Sequence, residues 1–299
     1  MFKKLVLAML ALTLVASCAL SGEKFKVFLI TMDQTDQHWN NVDAGAKKAA
    51  AELGNIDYTW SAPDMKDDAK QIEIINNSSA AGADLILLAA NGPTAVTSAL
   101  REAVSQGVKI IYVDSPADFA AIATFSTNNK AAGYTAGEEM IKALKAAGKN
   151  SGKIGIVNVN ASTASAVLRE EGFRDALAGS PYELLQTQYA EGDAAKSKDV
   201  ATNYIIQGCV GVYGTNEGST TGVGTAIYED GNSIIGVGFD NSDSIRALIK
   251  GGSLVCAMVQ DPFAMGYKGM NGAGQALTTG YTGPEVVDTG VIVMTKDKL

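Results

Sequence analysis

The stretch Ser233–Ile245, SIIGVGFDNSDSI, is the part of the chain from which its fold is most readily interpreted. Its apolar run Ile234–Phe239 is long enough for a fully buried strand but too short for a helix. Asp240 falls where that strand ends, and Ser242 or Asp243 is placed to cap the helix that follows. Open parallel sheets bind ligands at the carboxyl ends of their strands. Asp240 is therefore a candidate ligand-binding residue.

The same pattern occurs earlier in the chain. Lys109–Ser115, KIIYVDS, is another apolar run, and it ends in Asp114 and Ser115. A strand-like run that ends in an asparagine loop precedes each aspartate, at Asn91 in one case and at Asn216 in the other. The asparagine and the aspartate are 23 residues apart in the first half and 24 in the second. The sequence therefore predicts two similar βαβ halves, each with an amide and a carboxylate at its strand ends.

The first 17 residues predict an export signal that is not part of the fold. Lys3 and Lys4 precede the apolar run Leu5–Val15, which is too short to persist as a membrane-spanning helix. The small residues that follow end at Cys18. This ending resembles the bacterial lipobox, which would make Cys18 the lipidated first residue of a mature, membrane-anchored protein with a tether over residues 18–24. An ordinary cleaved signal with an incidental cysteine is the alternative.

Composition excludes several classes of function. Removal of the two leader lysines leaves 22 basic against 32 acidic side chains, a net charge of −10. Nucleic-acid binding requires a basic surface, so we expect no nucleic-acid partner. The single histidine, His38, excludes a multi-histidine metal centre, and no Gly-x-Ser-x-Gly turn is present. We expect an exported monomer that has no cofactor, no metal and no enzymatic activity.

Apolar runs alternate with helical patterns along the whole chain, which predicts parallel sheets with helices on both faces. The alternation restarts at residues 127–129, so we expect two α/β lobes. Among the elements are a helix over Met65–Ala81 with Asp64 as its cap, and a strand over Tyr182–Tyr189. Two later strands hold Cys209 and Cys256. Their expected separation of about 10 Å is too large for a disulfide, so both are expected to be buried free thiols.

Several pieces of the chain together resemble the periplasmic sugar-binding proteins of ABC transporters, of the ribose/galactose-binding type. In the family's order, the pieces are VFLITMDQTDQHWNNVDAGAKKAAAELG, KIIYVDS, STNNKAAGYTAGEEM, LREEGFRDAL, YGTNEGSTTG, VGFDNSDSIRALIKGG and VQDPFAMGYKG. The resemblance implies the periplasmic binding protein type I fold, with two Rossmann-like lobes and a three-strand hinge. The implied lobes comprise residues 25–127 with 261–288, and residues 128–260 with 289–299.

The resemblance also implies a sugar or sugar-like ligand, an ABC transporter permease as partner, and a ligand set drawn from both lobes. His38 and Trp39 match the family's aromatic pair, and Gln260 matches its hinge glutamine. With the asparagine of the first half, the expected ligand residues are Asp36, His38, Trp39, Asn91, Asp114, Ser115, Arg169, Asn216, Asp240 and Gln260. Where ribose binders have two arginines this chain has Ser115 and Val167, and Gly192 falls where they have a third aromatic.

Several of these ligand assignments have a structural alternative. Trp39 would anchor the first helix in the core, and Gln260 would bond hinge backbone. Asp114, Asp240 and Asn216 would serve as helix caps. Arg169 is equally compatible with a surface position or a salt bridge at a lobe edge.

Two functions remain in view. One is a sugar receptor that delivers its ligand to a permease. The other is a signal receptor of the same fold, for example for a furanosyl autoinducer.

Overall fold

The computed structural model describes residues 24–283 and 285–299, which form two α/β lobes. The predicted leader and Cys18 lie outside these residues. One sheet has the strand order β12-β5-β4-β3-β1-β2 and is entirely parallel. The other has the order β13-β11-β10-β9-β6-β7, with β8 also paired to β6, and only β13 runs antiparallel among the described strands. The predicted fold class is confirmed.

The elements of the first lobe follow in chain order. They are β1 (Phe25–Ile30), α1 (Gln37–Leu53), β2 (Ile56–Ser61), α2 (Asp68–Ala80), β3 (Leu85–Leu88), α3 (Thr97–Ser105), β4 (Lys109–Val113) and β5 (Thr124–Ser126), joined late in the chain by α9 (Pro262–Thr278) and β12 (Val286–Asp288).

The second lobe lies between these two parts of the first. It contains α4 (Asn129–Ala146), β6 (Gly152–Asn158), α5 (Ala164–Leu177), β7 (Tyr182–Leu184), β8 (Gln188–Tyr189), α6 (Ala194–Ile206), β9 (Cys209–Gly214), α7 (Glu217–Glu229), β10 (Ile235–Phe239), α8 (Asp243–Gly251), β11 (Cys256–Gln260) and β13 (Val291–Thr295), followed by a short 3₁₀ turn at Lys296–Lys298. The chain therefore crosses between the sheets after β5, β11 and β12.

Two predicted elements were wrong in their bounds. Helix α2 begins at Asp68 because Asp67 caps it by accepting the N–H of Lys70, and this leaves Lys66 in the preceding loop. The strand expected over Tyr182–Tyr189 is two short strands, which pair with different parts of β6. Among the described helices, none combines the length and the apolar character needed to cross a membrane.

The two remaining cysteines are buried and unbridged, as predicted. Cys209 lies on β9 and Cys256 on β11, with β10 between these strands.

Each lobe has a helix pair that packs backbone against backbone at glycines. Between α1 and α9, a Cβ at Gly45 would lie 2.1 Å from the carbonyl oxygen of Phe263, and one at Gly266 would lie 1.9 Å from that of Val42. Between α4 and α5, Cβ atoms at Gly133 and Gly172 would meet carbonyl oxygens at 2.0 Å. These separations are far below van der Waals contact, so a side chain at any of these positions would separate the helices.

We expect Gly266→Ala to destabilise the protein by about 1–3 kcal/mol, because the added methyl group must displace backbone. Gly251→Ala, in the last residue of α8, is a matched control with no atom within 4 Å of the new Cβ. That change should be neutral, or stabilising by up to about 1 kcal/mol. Free energies of unfolding from urea titrations measure both variants, and equal values for the two would contradict the packing described.

Candidate functional site

The two strand-end aspartates share an unusual backbone conformation. Asp114 follows β4 with a φ angle of 65°, and Asp240 follows β10 with a φ angle of 73°. This left-handed region costs a residue other than glycine on the order of 1 kcal/mol. Hydrogen bonds to neighbouring strands maintain this backbone conformation: the Asp114 N–H donates to the carbonyl of Phe125 in β5, and the Asp240 N–H donates to the carbonyl of Met258 in β11. Each carboxylate is thus fixed beside a strand after which the chain crosses to the other lobe.

The imidazole of His38 lies between these two carboxylates. Its Nε2 is 3.0 Å from Oδ2 of Asp114 and its Nδ1 is 3.7 Å from Oδ1 of Asp240. Burial alone would lower the pKa of His38, but the close contact with the Asp114 carboxylate and the charge of Asp240 outweigh it and raise that pKa. Burial would raise the pKa of Asp114, yet His38 and then Arg169 bring it down to about 2. The geometry favours an imidazolium between two carboxylates, one from each lobe.

A small cavity of about 30 Å³ lies at this contact between the lobes. Eight of the ten residues predicted to bind ligand line it, namely Asp36, His38, Trp39, Asp114, Arg169, Asn216, Asp240 and Gln260. Hydrophobic walls come from Met32, Val159 and Ala166. The cavity therefore combines carboxylate, amide and cationic groups with apolar surface.

The other two predicted residues, Asn91 and Ser115, do not line the cavity. The Asn91 carboxamide donates to Asp68 at 2.6 Å, and its backbone carbonyl accepts from the hydroxyl of Thr163. The hydroxyl of Ser115 donates to that of Ser165 at 2.6 Å. Thr163 and Ser165 belong to the second lobe, so both residues join the lobes beside the cavity. Their strand-end position follows from the sequence, but Asp68 of the same lobe engages the Asn91 side chain and Ser165 of the opposite lobe engages that of Ser115.

Arg169 is buried rather than on the surface, with 3% of its surface exposed. Its Nε donates to Asn129 and its Nη1 to the carbonyl of Thr215, while the guanidinium stacks 4.3 Å from the ring centre of Phe239. Its Nη2 lies 3.9 Å from Oδ2 of Asp114 in the other lobe. This set of contacts holds the guanidinium rigidly at the cavity wall.

Two amide side chains each combine a structural role with a place at the cavity. The Asn216 Oδ1 caps α7 by accepting the N–H of Ser219, and the Gln260 Nε2 donates to Asp240 at 2.6 Å. In the part of the chain that the structure describes, Asn216 Nδ2, Gln260 Oε1 and Arg169 Nη2 are buried without a hydrogen-bond partner. Buried polar atoms are nearly always paired. These three atoms are therefore available to hydroxyl groups of a ligand.

Trp39 belongs both to the core of the first lobe and to the cavity wall. Its ring lies edge-to-face against His38 at 4.6 Å. Its indole N–H donates to Asp33 at 3.2 Å, so this donor is already engaged. Trp39 therefore offers ring surface to a ligand rather than its N–H group.

Sequence reasoning missed a buried cation at the cavity. The Nζ of Lys66 lies 2.5 Å from Oδ2 of Asp33 and 2.9 Å from Oδ2 of Asp36. Burial would lower the pKa of Lys66, but the two carboxylates raise it, so the ammonium stays charged. Burial raises the pKa of Asp36. Burial would also raise the pKa of Asp33, but Lys66 and backbone N–H groups outweigh this effect, so the pKa of Asp33 is lowered. A Cβ at Gly192 would lie 3.1 Å from this Nζ, so glycine leaves room for the lysine.

Asp114→Asn should lower the pKa of His38, because the amide removes the charge that stabilises the imidazolium. The chain has one histidine, so a single imidazole resonance followed by NMR against pH reports it directly. In the unchanged protein the midpoint should lie above the ordinary value of about 6.5. Asp57→Asn, at an exposed position on β2, should leave the midpoint unchanged. A wild-type midpoint at or below 6.5 would contradict the buried contact.

The same shifts set the pH range in which the contact stabilises the fold. Because the pKa of His38 is raised in the folded protein, His38 stabilises the fold fully below about pH 6.5. This stabilisation is lost as the pH rises through the pKa of His38 in the folded protein. The lowered pKa of Asp114 means that its contribution is present above about pH 4 and is lost as the pH falls toward 2. The contact is therefore fully stabilising between about pH 4 and 6.5.

Comparisons with known proteins are consistent with this architecture. A family model described as a periplasmic binding protein domain matches residues 27–281. The ribose import binding protein of Haemophilus influenzae is 26% identical over 260 residues, which cover 86% of this chain and 86% of that protein.

Two solved structures are similar over both lobes. A carbohydrate transporter solute-binding protein from Agrobacterium radiobacter, in complex with D-arabinose, is 29% identical with a TM-score of 0.87, covering 93% of this chain and 96% of that one. An ABC transporter solute-binding protein from Agrobacterium vitis with bound D-fucose is 27% identical with a TM-score of 0.85, covering 91% and 96%.

Proposed function

The chain belongs to the periplasmic binding protein family, and from that membership we propose that it is the sugar-binding component of an ABC importer. It binds a sugar or sugar-like molecule between its lobes and delivers it to a membrane permease. The similar proteins include a ribose import binding protein and solute-binding proteins in complex with D-arabinose and D-fucose. These are binding proteins rather than enzymes. The alternative, a signal receptor of the same fold, has no specific observation in its favour.

The observation that carries this proposal is the composition of the cavity wall. A sugar presents many hydroxyl groups, each able to donate and to accept. Asp114 and Asp240 offer acceptors, and the amides and guanidinium offer the buried partnerless atoms Asn216 Nδ2, Gln260 Oε1 and Arg169 Nη2. Hydrogen bonds to charged groups contribute about 1.5–3 kcal/mol each. The ring of Trp39 provides apolar surface for the C–H face of the sugar.

Binding is coupled to closure, because neither lobe holds the full polar set. Asp114 and His38 belong to the first lobe, whereas Asn216, Asp240 and Arg169 belong to the second. A ligand that contacts both sets gains its full hydrogen bonding only when the lobes are together. It therefore shifts the population toward the closed form by its better affinity for that form.

Calorimetry against pentoses, hexoses and polyols tests the proposal, and at least one compound should bind. With that ligand, Asp240→Asn should weaken affinity roughly ten- to a hundredfold, because a charged acceptor is lost. Asparagine keeps the volume and tolerates the left-handed backbone. Ser115→Ala, which removes a contact beside the cavity, should cost less than about tenfold. No binding across the panel, or equal losses for the two variants, would count against the proposal.

We also propose that the mature protein is a lipoprotein anchored through Cys18. Support comes from the basic residues, short apolar run and small residues that precede this cysteine. The chain is then exported and held at the membrane surface, where a permease is within reach.

Cys18→Ser should abolish lipidation, because serine cannot form the thioether, so the lipid mass carried by the unchanged protein should be absent from the variant. Fractionation and intact-mass measurement check this. Cys209→Ser is the control, since that thiol is buried on β9 and should not affect anchoring. A wild-type protein whose intact mass shows no lipid on Cys18 would rule out the anchor.

A further inference from the structure

Helix α1, which carries His38 and Trp39, begins without a cap of its own. The preceding residue, Asp36, makes no side-chain hydrogen bond to the first turn, because its carboxylate accepts from Lys66 instead. The first N–H groups of a helix have no partner within the helix and need one from elsewhere. Here the partner comes from the opposite lobe.

The carboxylate of Glu217 fills this role. Its Oε1 accepts the N–H of Gln37 at 3.0 Å and its Oε2 accepts the N–H of His38 at 3.1 Å. Glu217 is the first residue of α7, in the second lobe. The carboxylate thus lies between the N-termini of two helices, α1 and α7, and both helix dipoles favour negative charge there.

The Glu217 side chain is half-buried where the two lobes meet. Burial and the nearby charge of Asp36 raise the pKa of Glu217 to about 7, although the two backbone hydrogen bonds act in the opposite direction. Asp243 offers a matched control by position: it is also the first residue of a helix, α8, but it is exposed and Ser242 caps that helix.

We propose that Glu217 is a cross-lobe latch, a positioning residue that caps α1 only when the lobes are closed. By fixing the first turn of α1 it holds His38 and Trp39 in place at the cavity. It also stabilises the closed form directly, since opening would leave the N–H groups of Gln37 and His38 without this partner. The effect of Glu217 on binding rests on the proposed function, in which a sugar binds between the two lobes. The helix cap itself does not require a sugar.

The consequence for binding is mainly kinetic. Breaking the two hydrogen bonds is part of opening, so loss of Glu217 should speed ligand release more than it slows association. Stopped-flow measurements with the sugar selected by calorimetry should give a dissociation rate roughly tenfold higher for Glu217→Gln, which retains the length of the side chain but loses its charge. Asp243→Asn should leave the rate unchanged.

A second measurement tests the Glu217 cap on α1 in the absence of sugar. Ser115 and Ser165 lie on opposite lobes with their hydroxyl oxygens 2.6 Å apart, so the double variant Ser115→Cys, Ser165→Cys should form a disulfide that locks the lobes closed. In this locked protein, hydrogen exchange at the amides of Gln37 and His38 is followed by NMR. Adding Glu217→Ala should accelerate exchange at these two amides at least roughly tenfold, and adding Asp243→Asn should not.

The two measurements separate the possible failures. If the amides of Gln37 and His38 exchange equally with and without Glu217 in the locked protein, the latch is overturned. An unchanged dissociation rate in Glu217→Gln overturns it as well. If no sugar binds even to the unchanged protein, the proposed function fails, while the exchange experiment still decides whether Glu217 caps α1 across the lobes.

Discussion

One imidazole lies between two buried carboxylates that come from opposite lobes, and the closed arrangement depends on that contact. Isolated buried carboxylates are strongly unfavourable unless they are paired and hydrogen-bonded. His38 lies within reach of both Asp114 and Asp240, while Arg169 approaches the first and Gln260 donates to the second. Charge compensation therefore requires residues from both lobes, and the same residues form the cavity.

Much of this arrangement could be predicted from the sequence, because the sequence pattern shows where buried strands end. Asp114 and Asp240 terminate short apolar runs, and parallel strands bring their carboxyl ends to one edge of each sheet. Gln260 and the polar segment that leads into α1, with His38 and Trp39 in its first turn, also follow apolar runs. Local pattern and topology together suffice to place such residues at the cleft.

Contacts that depend on how the lobes meet could not be predicted in this way. The sequence pattern predicts a helix that includes Lys66, whereas the Asp67 cap starts the helix later and leaves Lys66 in a loop beside Asp33 and Asp36. The residues around Arg169 predict a helix, but they do not indicate whether the Arg169 side chain faces solvent or the cleft. Ser115 faces Ser165 rather than the cavity, and this partner is 50 residues away in the chain. In each case the deciding neighbour is distant in sequence.

A crystal structure with the tightest-binding sugar of the calorimetric panel tests the central claim most directly. The account predicts one sugar molecule enclosed between the lobes, with its hydroxyl groups within hydrogen-bond distance of Asp114 on one side and of Asn216 and Asp240 on the other. A sugar held by one lobe alone, or bound away from these three side chains, would contradict it.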